Sequence, residues 1–83
     1  VNSFEIESNK IENSSFSILD AIEKLNLVKS RSEIKRLIKS TGIKINDQIY
    51  NDNNFSLIKY INKDEIKITI GKKKIGVIKV IKD

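Results

Sequence analysis

Four basic residues recur at helical spacing in one short segment and could bind phosphate groups. Arg31, Lys35, Arg36 and Lys39 fall on an arc of about 140° at 3.6 residues per turn. A guanidinium binds phosphate oxygens through two parallel hydrogen bonds, and an ammonium adds a compact charge. This arc predicts a face that binds a polyanion. An ordinary solvated helix face, with its cations paired to Glu33, is the alternative.

Further candidate ligands lie at the start of this helix and in two later segments. The hydroxyls of Ser30 and Ser32 lie where a helix N-terminus offers unpaired backbone N–H groups to an anion. Lys44 follows in an alternating segment. Three more lysines form a predicted hairpin turn: Lys72, Lys73 and Lys74. They could track a phosphate backbone, or they could simply keep a sheet edge soluble.

Composition limits the chemistry that these 83 residues can perform. The chain contains no histidine and no cysteine, so every triad that needs an imidazole and every thiolate metal site is excluded. Carboxylates and lysines remain, so the composition argues against an enzyme without excluding one. No apolar run approaches the roughly 20 residues of a membrane span. We therefore expect a non-catalytic domain that folds without metal or cofactor.

The charge is unevenly distributed along the chain. Residues 1–23 hold five acidic residues and one basic residue, whereas residues 24–83 hold fifteen basic and six acidic residues. The net charge of the whole chain is +5. A basic body behind an acidic leader favours a nucleic acid as the partner, although a lysine-rich soluble surface has the same composition.

Two helices are predicted to position the basic arc. Ser17 caps the first helix, with Asp20 in the position that closes a capping box. Ser30 and Glu33 repeat this pattern at the second helix. The second helix has an apolar stripe of Ile34, Leu37 and Ile38, and it is predicted to end with a left-handed residue at Gly42.

Short strands are predicted after the helices. Ile43 and Ile45 alternate with polar residues, a tight turn at Asn46 and Asp47 follows, and residues 48–50 return. Residues 51–54 are predicted to form a polar loop. Residues 66–70 and 75–81 form a final hairpin with its turn at 71–74. Residues 1–15 are a leader or interdomain linker that allows a short strand at Phe4 and Ile6, with residues 8–15 as linker.

The pattern therefore predicts an α+β fold. Two helices pack on a small, curved, mainly antiparallel sheet with a C-terminal hairpin, and the domain occupies residues 16–83. The apolar residues are accounted for by helix stripes and one sheet face, so we expect the isolated domain to be monomeric. The first residue is Val1 rather than Met, so we expect either a fragment of a longer protein or a processed chain.

Residues 30–39 (SRSEIKRLIK) and 42–46 (GIKIN) resemble the S-four RNA-binding domain, also called the alpha-L motif. The resemblance extends over residues 17–81. It implies a helix pair with a basic second helix followed by a small curved sheet, and a function in binding structured RNA. Thr41 and Asp47 depart from the family pattern, which usually has glycine at both positions.

Within that family, the sequence is most similar to the C-terminal domains of bacterial-type tyrosyl-tRNA synthetases. The similarity rests on the Ser30 to Glu33 helix start, the spacing from Asn46 to Asp52, and the final hairpin at residues 71–73. It implies tRNA(Tyr) as the partner and a cytoplasmic, ATP-dependent ligase as the parent, which could dimerise through its catalytic domain. The catalytic signatures of that enzyme contain histidine and methionine, which this chain lacks.

Three alternatives remain open at the level of sequence. The same fold occurs in RNA-modifying enzymes such as pseudouridine synthases, and in stand-alone proteins that bind RNA or the ribosome. The third alternative is a basic module that binds an acidic protein. A membrane-binding version is disfavoured because no amphipathic helix carries a bulky aromatic face.

Overall fold

The computed structural model describes residues 2–13 and 15–82 as an α+β fold. The elements in chain order are β1 (Asn2–Glu7), α1 (Ser8–Glu12), α2 (Ile18–Lys24), α3 (Arg31–Lys39), β2 (Ile43–Ile45), β3 (Gln48–Ile49), a 3₁₀ turn (Ile58–Tyr60), β4 (Glu65–Ile70) and β5 (Lys74–Ile81). The five strands form one sheet in the order β1-β5-β4-β2-β3. The predicted fold class is confirmed.

The sheet is mainly antiparallel, as the sequence predicted. β5 pairs antiparallel with β4, β4 with β2, and β2 with β3, whereas β1 runs parallel to β5. Asn46 and Asp47, at φ values of 51° and 69°, form the predicted tight turn between β2 and β3. The final hairpin turn is one residue shorter than predicted because Lys74 already pairs with Ile70.

The N-terminal segment is more regular than the sequence indicated. The strand expected at Phe4 and Ile6 is present as β1, which adds to the edge of the sheet beside β5. The linker prediction is wrong over Ser8–Glu12, which form α1. Ile11 explains this helix, because its side chain is buried in the core. Ser14 lies outside the described residues, and the domain boundary at residue 15 stays a prediction.

The predicted caps differ in outcome at the two long helices. At α2 the capping box is complete: the Asp20 N–H donates to Ser17 Oγ at 3.4 Å, and the Ser17 N–H donates to Asp20 Oδ2 at 3.0 Å. At α3 the predicted box is wrong. Ser30 occupies the cap position with extended backbone angles, but its side chain makes no capping hydrogen bond. The residue pattern therefore predicted both helix starts correctly, but only the capping box at α2 is formed.

The end of α3 also differs from prediction by one residue. The left-handed residue is Thr41, with φ of 60°, rather than Gly42. The Thr41 N–H donates to the Ile38 carbonyl at 3.3 Å, and the Gly42 N–H donates to the Leu37 carbonyl at 2.8 Å. These two bonds form a Schellman motif, which satisfies carbonyls that the helix itself leaves unpaired. Gly42 itself lies close to the helix, because a Cβ there would lie 3.2 Å from Leu37 Cδ2.

The core lies between the helices and one face of the sheet. Buried side chains alternate along the strands, so that Ile43, Ile45, Ile66, Ile68, Ile70, Ile78 and Val80 face the helices. Gly76 lies beneath Leu25, whose Cδ1 would be only 2.7 Å from an added Cβ. Ile34 and Ile38 anchor α3, whereas Leu37, predicted as core, is only half-buried at the edge. α3 is thereby fixed with one side on the sheet and the other toward solvent.

Candidate nucleic-acid interface

Arg31, the first residue of α3, is held by acidic side chains of α2. Its Nη2 lies 2.5 Å from Asp20 Oδ1, and its Nε lies 2.7 Å from Glu23 Oε1. The hydrogen bond to Asp20 raises the pKa of the guanidinium. Arg31 was predicted to bind phosphate, but here its guanidinium is already paired with two carboxylates. These ion pairs join the start of α3 to α2.

Asp20 belongs to both this ion pair and the α2 cap. A hydrogen bond from the Ser17 backbone is the main cause that lowers the pKa of the Asp20 carboxyl. Partial burial opposes it, and the hydrogen bond and charge of Arg31 lower the pKa further. The carboxylate form is favoured because it accepts bonds that a neutral carboxyl would make less well. One side chain thus fixes both the start of α2 and the start of α3.

The outward face of α3 consists of Ser32, Arg36 and Lys39, which lie within an arc of about 60°. All three side chains are exposed. Within residues 2–13 and 15–82, neither Arg36 nor Lys39 makes an ion pair or a side-chain hydrogen bond. Both cations are therefore available to a ligand without first breaking an internal contact.

Lys35 and Ser30 lie at the margins of this face. The Lys35 ammonium is 5.8 Å from the centre of the Phe55 ring, within the range of a cation–π contact. It is nevertheless exposed and can reach solvent. Ser30 is exposed at the helix start, and its hydroxyl is not used for capping. The basic residues predicted on α3 are thus exposed at its surface, whereas Arg31 is paired with acidic residues of α2.

Lys44 lies on a different surface from α3. It is exposed between the fully buried Ile43 and Ile45 on β2. Because side chains alternate across a strand, Lys44 projects from the sheet face that the helices do not cover. The structure therefore does not bring Lys44 together with the outward face of α3.

The lysines of the final hairpin divide into two kinds. Lys72 and Lys73 are exposed in the turn. Lys74 begins β5, and its ammonium donates to the Leu27 carbonyl at 3.1 Å, so it ties the hairpin to the α2–α3 connection. Lys29, which sequence reasoning did not single out, lies in that connection near the hairpin turn. The signal was its position directly before Ser30, at the start of the basic run.

Two other kinds of site find no support among residues 2–13 and 15–82. None of the helices there is long and apolar enough to cross a bilayer. In the same residues, no group of three or more acidic, histidine or cysteine side chains could hold a metal ion.

The family model of the S4 domain matches residues 18–57, which run from the start of α2 to the segment after the polar loop. The chain thus carries an S4 domain. This is the family that the basic run from Ser30 and the glycine-to-asparagine segment indicated, and that interpretation is confirmed.

The chain is similar to curated tyrosine–tRNA ligases. It is 44% identical to that of Pelagibacter ubique over 66 residues, covering 78% of this chain and 16% of the ligase. It is 38% identical to that of Rickettsia typhi over 58 residues, covering 68% and 14%, and 34% identical to that of Rickettsia prowazekii over 73 residues, covering 86% and 18%. The chain thus spans about one sixth of the length of these relatives.

Proposed function

We propose that this chain is the tRNA-binding module of a tyrosine–tRNA ligase, and that it holds structured tRNA through phosphate contacts from α3. The observation that carries this proposal is the outward face of α3, where Arg36 and Lys39 are exposed and unengaged by the described residues. Support also comes from the S4 domain match and from relatives that are all named tyrosine–tRNA ligase.

The aromatic side chains of the chain bear on how RNA would be recognised. All five aromatic side chains are buried or partly buried, so none forms an exposed platform on which bases could stack. Guanidinium and ammonium groups bind phosphates whatever the base sequence. The module therefore reads the shape and backbone of a folded RNA, and tRNA(Tyr) is the partner in this proposal.

The chemistry of the parent protein lies outside this module in our proposal. The chain has no histidine and no methionine, so neither catalytic signature of the ligase is contained in it. The parent is then an ATP-dependent ligase of the cytoplasm that activates tyrosine in another domain and could dimerise there. The module adds affinity for the tRNA without touching the reacting groups.

A salt titration of tRNA binding tests this proposal. Each phosphate contact to duplex-like RNA contributes a slope of about −0.9 to log affinity against log salt, so Lys35, Arg36 and Lys39 together predict about −2.7. Arg36→Ala and Lys39→Ala should each weaken binding to many RNAs and flatten the slope by about 1. Circular dichroism should show that both variants stay folded, because these side chains lie off the core.

Lys79→Ala is the matched control, since Lys79 is an exposed lysine of β5 between the fully buried Ile78 and the buried Val80. It removes the same charge from the sheet face that the helices do not cover, and it should leave the slope unchanged. Wild-type affinity and slope in both α3 variants would overturn the proposal. Failure of the wild type to bind tRNA at low salt would favour the protein-interaction alternative instead.

A further inference from the structure

A groove of about 780 Å³ separates α3 from the tip of the β4–β5 hairpin. The α2–α3 connection forms its third wall. A volume of this size lies in the usual range of small-ligand sites, roughly 300–1,000 Å³. No part of the phosphate contacts proposed above uses this groove.

The floor of the groove is apolar. Val28 and Ile70, each 7% exposed, line the groove together with the half-buried side chain of Leu37. Leu37 thus leaves part of its apolar side chain at the surface of the groove. Apolar surface left open to water favours a ligand with a flat or apolar body.

The rim of the groove is cationic. Lys29, Lys72 and Lys73 are exposed around it, and Glu33 is the one acidic side chain among the residues that line it. The fourth lysine, Lys74, has its ammonium bound to the Leu27 carbonyl, so its charge lies fixed at the wall. The groove thus combines an apolar floor with several charges that attract an anionic edge.

We propose that the groove receives a single unpaired nucleotide of the bound RNA. The base lies against Leu37 and the buried floor, and its flanking phosphates meet the lysine rim. This inference rests on the proposed function, because it assumes that RNA binds α3. It adds a preference for one structural feature of the RNA, which backbone contacts alone do not provide.

Two arguments favour an unpaired nucleotide over a paired one. A paired base keeps its faces stacked inside the duplex, so only phosphates and sugars would reach the groove and the apolar floor would stay uncovered. Residue 37 also follows residue 36 at 100° around the helix axis, so the groove adjoins the outward face of α3. A strand whose phosphates contact Arg36 can therefore place a neighbouring nucleotide beside Leu37.

The test uses the full 83-residue chain and two RNA hairpins with the same stem. One carries a single bulged 2-aminopurine nucleotide, and the other is fully paired. The wild type should bind the bulged RNA about tenfold more tightly, as expected from burying one face of a base on an apolar floor. The fluorescence of the 2-aminopurine should change on binding.

Two variants remove different parts of the groove. The double substitution of Lys72→Ala with Lys73→Ala lies in an exposed turn that can lose these side chains without unfolding. It should abolish the preference for the bulged RNA. Leu37→Gln should do the same and should also abolish the fluorescence change. Arg36→Ala should weaken binding of both RNAs but keep their ratio, and Lys79→Ala should change neither.

The outcomes separate this proposal from the previous one. Equal wild-type affinity for both RNAs, with Arg36→Ala still weakening each, would overturn the groove and leave the phosphate contacts standing. No binding of either RNA at low salt would overturn both proposals. A 2-aminopurine signal that stays unchanged while the bulged RNA binds would also overturn the nucleotide site.

Discussion

Helices α2 and α3 begin with the same spacing of serine and acid, yet only at α2 do these side chains bond to the backbone. Ser17 and Asp20 lie in a part-buried setting, where the Ile18 N–H also donates to the Phe55 carbonyl at 3.0 Å. Ser30 and Glu33 are both exposed, where water competes for the same bonds. The comparison teaches that a capping pattern locates a helix start, whereas closure of the box depends on what surrounds it.

The two helix starts also differ in what they do for the rest of the molecule. The start of α2 is a fixed point, because Asp20 holds both the Ser17 backbone and the Arg31 guanidinium. The start of α3 has no side-chain cap of its own and is held by the ion pair between Arg31 and Asp20 of α2. The side chains of Ser30 and Glu33 are exposed to solvent, next to the surface proposed to bind RNA.

The largest expected effect comes from the core that both helices share. Ile34→Ala and Ile22→Ala each remove a fully buried side chain and should lower the free energy of unfolding by about 2–5 kcal/mol. Leu37→Ala should cost less, because Leu37 is only half-buried. Urea unfolding measures all three. A loss at Leu37 equal to that at Ile34 would contradict the burial described here.

The next effect tests the comparison of the two starts directly. Asp20→Ala removes the carboxylate half of the α2 capping box and one ion-pair partner of Arg31, so it should lower the free energy of unfolding by roughly 1–2 kcal/mol. Glu33→Ala should stay within about 0.5 kcal/mol of the wild type. Ser17→Ala and Ser30→Ala form a second matched pair with the same expected ranking. Chemical denaturation at neutral pH is the measurement. Equal losses within either pair would break the distinction.

A smaller effect is expected at the end of α3. Thr41 holds a left-handed backbone that costs a residue with a Cβ roughly 1–2 kcal/mol, so Thr41→Gly should raise the free energy of unfolding by up to about 1 kcal/mol after the added freedom of the unfolded chain is subtracted. Gly42→Ala is the control: Gly42 does not have a left-handed backbone, so this substitution should not reproduce the gain expected at Thr41. A Thr41→Gly variant that melts below the wild type would argue against the Schellman geometry.

The smallest expected effect is a pH dependence of stability that arises from Asp20 at the start of α2. The pKa of Asp20 is lowered in the folded protein, so the unfolded chain binds this proton more readily. The contribution of Asp20 to stability is present above the unfolded value of about 3.9 and is lost as pH falls through the lower folded value. The difference in melting temperature between wild type and Asp20→Asn should therefore shrink below pH ~4. A constant difference down to pH ~2 would refute this assignment.

Features set by neighbouring residues were predicted from the sequence. The alternation of Ile66, Ile68 and Ile70 with polar residues predicted β4, and Asn46 with Asp47 predicted the tight turn. The period of the apolar stripe predicted α3 and the exposure of its basic residues, although Leu37 of that stripe is only half-buried. Each of these rests on local periodicity or on the backbone preferences of one or two residues.

Features set by packing were not predicted. Arg31 meets Asp20 only once α2 and α3 lie against each other, and no local pattern gives that geometry. A threonine is a poor left-handed residue, so the sequence favoured Gly42 over Thr41. The five-residue helix around Ile11 is too short to show a period. For the candidate interface, the groove was missed because its walls come from three separate segments.

The parallel pairing of β1 with β5 has a consequence for the order of folding. Asn2 lies beside Gly76, and Glu7 beside Ile81, so this contact joins opposite ends of the described chain. Closing so long a loop is slow, whereas the β4–β5 hairpin forms from neighbouring residues. β1 should therefore dock last onto a sheet that has already formed, and it should also detach first. In hydrogen exchange, its amides should lose protection through local openings that leave β4 intact.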